Sequence, residues 1–329
     1  MYWSIRPKYV YNPTVLEMHL CKLRGKGEYK MTENRVRLNG GFHNDIFHNK
    51  EHNSVVRISP KSKTKEMVMQ EIEWMGFLHD KGVPVPKVIL PLAYEGERVK
   101  TNFEYIPGDS IDVKNKSHWN EVTFKQFGKS LGRMHAISKI HKFKSIHRPA
   151  WRNDNPDVFN IRENLIPWIG EKYDKLLNSL TSDNIMPDNF GLIHNDYHQG
   201  NLIMNKKGFI TIIDFDECSY NWFAQDLAVA FYHAYWQHDS FNGNTHTFCD
   251  SFMRNFFKGY TTENSLHKDT IKQIPTFLKL REIYLYQLFN QSWDTNHLEA
   301  WQEYTMQNLE TNIKNETPYA GIHDFSIYL

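Results

Sequence analysis

Cysteine is scarce in this chain: three residues in 329, Cys21, Cys218 and Cys249, far apart and odd in number. That pattern excludes a disulfide framework and a zinc knuckle, and it points to a reducing compartment, the cytoplasm. Net charge is almost absent as well, with 39 Lys and Arg against 38 Asp and Glu, a formal +1. Such a balance offers no general attraction to nucleic acid or to an anionic membrane surface. No apolar run is long enough to span a bilayer, and the opening Met-Tyr-Trp-Ser-Ile-Arg lacks the apolar centre of a signal peptide. What the chain has in quantity is aromatic side chain, 14% of residues, gathered mostly in the second half. Most of it is expected in a core, for which 329 residues suffice as one large domain or two lobes.

The most informative stretch is GLIHNDYHQGNLIMNKKGFITIIDFDE, residues 191 to 217. After an apolar lead-in at Leu192 and Ile193 come His194, Asp196 and Asn201 in the order H-x-D-x-x-x-x-N. A short strand over Asn201 to Met204, a Lys-Lys-Gly turn and a second strand over Phe209 to Ile213 follow, and the second strand delivers Asp214 into a bend. Two acids and an amide at one end of a hairpin suit a magnesium-phosphate site, because Mg2+ takes oxygen ligands and few protein groups. Asp196 is then free to accept a proton from an attacking hydroxyl. The period-two spacing of His194, Asp196 and His198 offers a rival, three transition-metal ligands on one strand face.

HNDYHQGN followed by IDFDE resembles the aminoglycoside phosphotransferase and choline kinase-like branch of the protein-kinase-like superfamily. The resemblance implies Asp196 as catalytic base, Asn201 and Asp214 as Mg2+ ligands, His194 as a buttress of the loop, and Asp216 as a contact for a second metal or for substrate. It extends over residues of about 36 to 310 in the family's order. Leu38 to Asn44 resembles the nucleotide-binding loop L-x-G-G-x-x-N, with Gly40, Gly41 and Asn44 near the phosphates. Two glycines without Gly-Lys-Ser/Thr do not make a Walker A loop. Arg57 stands where the family has a Lys or Arg that reaches ATP phosphates, and Glu71 where a helix glutamate orients that base. Glu104, Tyr105 and Ile106 match the hinge whose backbone meets adenine, and an aspartate in a D-L-A context, Asp226, matches a support of the catalytic loop. A carboxylate at a helix start accepts backbone amides readily.

Residue patterns supply the scaffold. Thr14 to Leu23 reads as a short helix ended by Gly25 and Gly27; strand-like alternation flanks Asn39-Gly40-Gly41; SVVRIS is a strand. Lys65 to Lys81 is an amphipathic helix with Met67, Ile72, Met75 and Leu78 inward, Glu66 and Glu73 solvated, and Gly82 at its end. Strands are expected at Val88 to Leu92 and Val99 to Tyr105, around Glu95-Gly96-Glu97. Thr123 to Ser138 is a helix with Phe124, Phe127, Leu131, Met134 and a packed His135 inward. A basic, aromatic linker (139 to 151) and a helix near Val158 to Leu180 follow, with Trp151, Trp168 and Tyr173 as core or as pocket walls. Helices are expected again over Phe248 to Tyr260, Ile274 to Trp293 and Trp301 to Ile313.

The expected class is α+β, a two-lobed protein-kinase-like fold with a small antiparallel-sheet lobe (residues 1–106) and a larger, mostly helical lobe (107–329). The resemblance implies an ATP-dependent, Mg2+-assisted transfer of the γ-phosphoryl group to a hydroxyl of a small molecule. The C-terminal third carries no dense acidic run, which ranks an amino-alcohol, hydroxy-amino acid or sugar ahead of an aminoglycoside or other antibiotic, and a protein hydroxyl third. A catalytically silent fold and a metal-dependent hydrolase are the alternatives of other classes. No nucleic-acid or membrane partner is expected.

Overall fold

The computed structural model describes residues 35–38, 44–141, 147–243 and 245–329, the His246 side chain excepted. The helix expected over Thr14 to Leu23, and Gly40 and Gly41, lie outside the described residues. The chain has a two-lobed kinase-like fold, and its first part is a sheet. β1 (Arg35–Arg37) and β2 (Asp45–Asn49) pair antiparallel across the Gly-Gly segment, as the alternation predicts. β3 (Ser54–Ile58), β4 (Val88–Glu95) and β5 (Arg98–Glu104) complete five antiparallel strands in the order β1-β2-β3-β5-β4. Along β5, Val99, Thr101 and Phe103 alternate into the interior, the period-two pattern of a strand with one buried face.

That face is covered by α1 (Lys65–Asp80), on which Val68, Ile72, Met75 and Leu78 are buried while Glu66 and Glu73 are exposed. Thr64 caps its start, accepting from Met67 N at 3.2 Å, and Gly82 turns the chain away at φ +72°. Each fully buried aliphatic side chain contributes roughly 1.5–3 kcal/mol. The helix is therefore fixed against the sheet, and with it Glu71, the one acid on its inner face.

The second part is built on helices. α2 (Glu121–Ser138) and α5 (Thr245–Tyr260) approach until their backbones touch. A Cβ on Gly128 would stand 1.8 Å from the Phe256 carbonyl oxygen, and one on Gly259 would stand 1.9 Å from that of Lys125. α4 (Phe223–Phe241) is apolar on every side over Ala224 to Phe231 apart from Gln225 and Asp226, and it runs through the core. α6 (Lys268–Ser292) and α7 (Ala300–Asn315) pack outside it.

Two helix starts differ from expectation by six residues or more. A start at Ile274 would put Pro275 in the first turn, where proline is tolerated. Instead α6 begins at Lys268, capped by His267, because Thr270 and Ile271 are buried and hold the preceding turn despite the proline. Conversely, α3 (Pro167–Thr181) begins nine residues after Val158, with only a 3₁₀ turn at Arg162–Asn164 before it. The residue before a proline is driven out of the α region, and Ile166 sits at ψ 149°. Trp151 and Tyr173 are buried core and Trp168 is half-buried against it, so none is placed as a free pocket wall.

Between the helices lie two small sheets. β7 (Phe190–Ile193) pairs with β10 (Ser219–Trp222). β8 (Leu202–Met204) pairs with β9 (Ile210–Ile212) on one side and with β6 (Asp109–Ser110) on the other. The β8–β9 turn closes on Gly208 at φ +79°, with Asn205 Oδ1 accepting from Lys207 N and Phe209 N. Among the described residues, no helix is long and apolar enough to cross a membrane.

Candidate active site

The loop from β7 to β8 is tied from beneath by Asp226, in the first turn of α4. Its Oδ2 accepts from His194 N at 2.9 Å and its Oδ1 from Asn195 N at 2.6 Å. His135 Nε2 adds a third donor at 3.1 Å. The proton chain behind it has one direction: Asn264 Nδ2 donates to Tyr260 Oη, Tyr260 O–H donates to His135 Nδ1, and His135 Nε2–H donates to the carboxylate. Burial holds the His135 ring neutral in spite of Asp226. His194 is likewise buried and neutral. Its Nδ1 accepts from Asp196 N at 3.3 Å, so the proton sits on Nε2 and is donated to the Ile213 carbonyl at 3.0 Å. His194 and Asp226 thus position the loop, and Asn195 pays for the sharp bend with a φ of +72°.

Asp196 emerges on the open side with every contact of its carboxylate cationic or donating. Asn201 Nδ2 donates to its main-chain oxygen at 2.9 Å and to Oδ2 at 3.0 Å. His198 Nδ1 accepts from Gly200 N, which puts the ring proton on Nε2, 3.3 Å from Oδ2. Arg281, from α6, donates Nη2 to Oδ1 at 2.6 Å. Burial pushes the Asp196 carboxyl up, but His198 and Arg281 outweigh it and hold the group well below the usual range. His233, on α4, accepts from Arg281 Nε and Nη2 and stacks on His198 at 4.5 Å. The rival three-ligand arrangement does not form. Residues 194–198 are a bent loop, His194 faces Ile213, and no cluster of three or more His, Cys, Asp or Glu among the described residues suits a metal.

A second group of oxygens sits beside Asp196. Asn201 spends its amide nitrogen on Asp196, which leaves its Oδ1 as a donor atom for a ligand. Ile213 N bonds Asn201 O at 3.0 Å and brings Asp214 to the same end of the hairpin, at φ 63° and ψ 64°. Burial and the neighbouring Asp216 push the Asp214 carboxyl up to about 7, with Glu71 and Asp196 adding to the shift. Asp216 is buried, and its Oδ1, like Asn44 Oδ1, has no hydrogen-bond partner. Crowded carboxylates and orphaned oxygens of this kind are the donor set a hard divalent cation takes.

The roof is the sheet. Arg57 on β3 and Glu71 on α1 are both buried and joined by two bonds, Nη1 to Oε1 at 2.6 Å and Nη2 to Oε2 at 2.9 Å. Burial works against the guanidinium charge, yet Glu71 more than offsets it. Two cations absent from the sequence reading fasten this roof to the loop below. Lys63 Nζ lies 3.1 Å from the Asp216 carbonyl and 3.2 Å from Glu217 Oε1. Arg148 donates Nε to Cys218 O at 2.8 Å and Nη2 to Asp216 O, while Gln70 on α1 accepts from His147 N and Arg148 N. At the matched hinge, Glu104 N is bonded to Lys87 O and Tyr105 N to Asn53 O, so this pair can offer a base its carbonyls; the Tyr105 ring stacks on His48.

Residues 35–265 match the phosphotransferase enzyme family. The chain belongs to that family. It is a kinase, and across 280 residues it is 30% identical to the amicoumacin kinase of Bacillus subtilis (strain 168), covering 80% of this chain and 81% of that one. Among solved structures, an amicoumacin kinase in complex with AMP-PNP, Ca2+ and Ami superposes with a TM-score of 0.81 at 24% identity, covering 98% of both chains. A microcompartment-associated aminopropanol kinase gives 0.63 at 18%, over 92% of this chain and 95% of that one. The choline kinase of Streptococcus pneumoniae gives 0.58 at 14%, over 92% and 99%. Arg281 and His233 add to this phosphotransferase site what the motif did not announce. They lie on helices far along the chain, and only their place in the fold brings them to Asp196.

Proposed function

We propose that this phosphotransferase moves the γ-phosphoryl group of ATP to a hydroxyl of a small molecule, with Asp196 as the base. The observation that carries the reading is the Asp196 carboxylate, held at Oδ2 by Asn201 and His198 and at Oδ1 by Arg281, beside the oxygens of Asn201, Asp214 and Asp216. The acceptor hydroxyl donates to Asp196, its oxygen forms a bond to the γ-phosphorus, the bond to ADP breaks with its electron pair, and the proton passes to the carboxylate. A carboxylate of low basicity suits a loose transition state, in which the proton leaves late and orientation counts most. Asn201 and Asp214, with Asp216 at hand, would hold Mg2+, which neutralises charge on the phosphate oxygens. Arg57, oriented by Glu71, would face the phosphates from the roof, and the family resemblance assigns Gly40, Gly41 and Asn44 to the same phosphates. The backbone of Glu104, Tyr105 and Ile106 meets adenine at the lobe boundary, after residue 106.

The relatives direct the choice of acceptor. Amicoumacin heads the set because of the 30% identical kinase; amino-alcohols follow, then hydroxy-amino acids and sugars. Location in the cytoplasm rests on cysteine usage. The test is ADP release from Mg·ATP, coupled to NADH loss, over amicoumacin, aminopropanol, choline, ethanolamine, homoserine, sugars and aminoglycosides. An acceptor-dependent signal is expected, lowered to a small residual rate in Asp196→Asn while Mg·ATP still binds, whereas Asp214→Asn loses Mg·ATP binding itself. Near wild-type turnover in Asp196→Asn would remove the base assignment. Absence of any nucleotide binding would favour a silent fold.

A further inference from the structure

Arg281 is only 5% exposed, yet it projects from α6 onto the one side of Asp196 that the catalytic loop leaves open. Oδ2 already accepts from Asn201 and His198, both within the loop itself. Oδ1 has the Arg281 Nη2 at 2.6 Å. A carboxylate oxygen has two acceptor sites, so Oδ1 keeps one for an incoming hydroxyl. The terminal torsion of an aspartate is soft. A second, opposed anchor is therefore needed if that free site is to point in one direction. The anchor is itself anchored: His233 accepts from Nε at 3.2 Å and Nη2 at 2.7 Å, which fixes the guanidinium plane, and the Tyr284 ring lies 5.1 Å from Cζ.

We propose that Arg281 is a positioning residue for phosphoryl transfer, holding the Asp196 carboxylate so that its remaining Oδ1 site meets the acceptor hydroxyl. The reading rests on Asp196 as the base. It assigns α6 a direct hold on the catalytic carboxylate, through a guanidinium committed to Asp196 and His233.

The experiment compares wild type, Arg281→Gln, Arg281→Lys, Asp196→Asn and the Asp196→Asn/Arg281→Gln double variant. Two quantities are read: Kd for Mg·ATP, and γ-phosphoryl release from labelled Mg·ATP, with water as acceptor and with any active compound from the acceptor panel. Arg281→Gln is expected to lower turnover about 100-fold, the size of loss typical of a misplaced catalytic group, with Kd within about 2-fold. Arg281→Lys restores about 10-fold of that loss, since an ammonium pairs with Asp196 but cannot fork to His233. In the Asp196→Asn background the Arg281 change costs less than about 3-fold, because a residue acting through Asp196 has nothing left to position. Unchanged turnover in Arg281→Gln beside an Asp196→Asn reduced to its residual rate overturns this proposal alone. So does an Arg281 loss that persists undiminished in the double variant, or one matched by lost Mg·ATP binding. Wild-type turnover in Asp196→Asn overturns the base assignment and this proposal with it.

Discussion

Asp226→Asn changes one buried oxygen to an NH2 group and almost nothing in volume, so its effect isolates the hydrogen bonds under the catalytic loop. If the new amide replaces Oδ1, it faces the Asn195 N–H; if it replaces Oδ2, it faces the His194 N–H and the His135 ring. His135 can adapt by moving its proton to Nδ1, but a main-chain N–H cannot. One buried amide donor is therefore orphaned in either rotamer. An unsatisfied buried donor costs about 1–3 kcal/mol, and the remaining bonds lose the charge that made each worth about 1.5–3 kcal/mol. The expected loss is about 3 kcal/mol, against a usual total of about 5–15 kcal/mol, so the variant folds. Amide hydrogen exchange resolves the effect by residue: protection at His194 and Asn195 should fall by about 100-fold while the α2–α5 core keeps its own. Turnover should fall with it, because the same loop carries Asp196. Unchanged protection at both amides, with an unchanged melting midpoint, would refute the account of Asp226 as the tie beneath the loop.

Glu71→Gln leaves Arg57 charged and buried without its anion, which should destabilise the fold by about 3–5 kcal/mol in urea unfolding and weaken Mg·ATP binding. Gly128→Ala puts a methyl carbon 1.8 Å from the Phe256 carbonyl and must force α2 and α5 apart; the expected result is a loss above about 3 kcal/mol or failure to fold, read by circular dichroism. Glu282, buried on α6 and accepting from Asn312 Nδ2 at 3.2 Å, is pushed up to about 7 by burial, against the opposing bond from Asn312. The folded state then binds its proton more tightly than the unfolded one, so this stability is present below about pH 4.5 and lost as pH rises through 7. Glu282→Gln should match wild type at pH 4 and exceed it at pH 8 by no more than about 3 kcal/mol in thermal or urea unfolding.

Why the proposed base could be read from sequence while the arginine that pairs with it could not is a matter of distance along the chain. His194, Asp196, Asn201 and Asp214 fall within 21 residues, and the turn chemistry between them is local, so spacing alone brings them together. Asp226 was legible through the D-L-A context of the family resemblance, and a carboxylate at a helix start accepts backbone amides readily. Arg57 and Glu71 lie on separate elements and were picked out by the family resemblance, and the structure joins them by two hydrogen bonds. Arg281 lies 85 residues beyond Asp196 on a 25-residue helix, where an arginine in a single sequence reads as solvated surface. Arg148 stood in a segment read as linker, and nothing local marks it as the strap between α1 and the Asp216 loop. Gly128 and Gly132, four apart on α2, were a visible signal of close helix approach that went unread. The two largest shifts of a helix start were both decided by proline, a residue that begins a helix when nothing buries the turn before it, and is tolerated inside one when Thr270 and Ile271 do. The catalytic loop is therefore held from two directions with different visibility. Asp226 grips its backbone from a place that the family resemblance marks, and Arg281 grips its carboxylate through tertiary packing that the sequence does not show. A substitution that spares the motif but moves α6 should for that reason lower turnover while every recognisable residue stays in place.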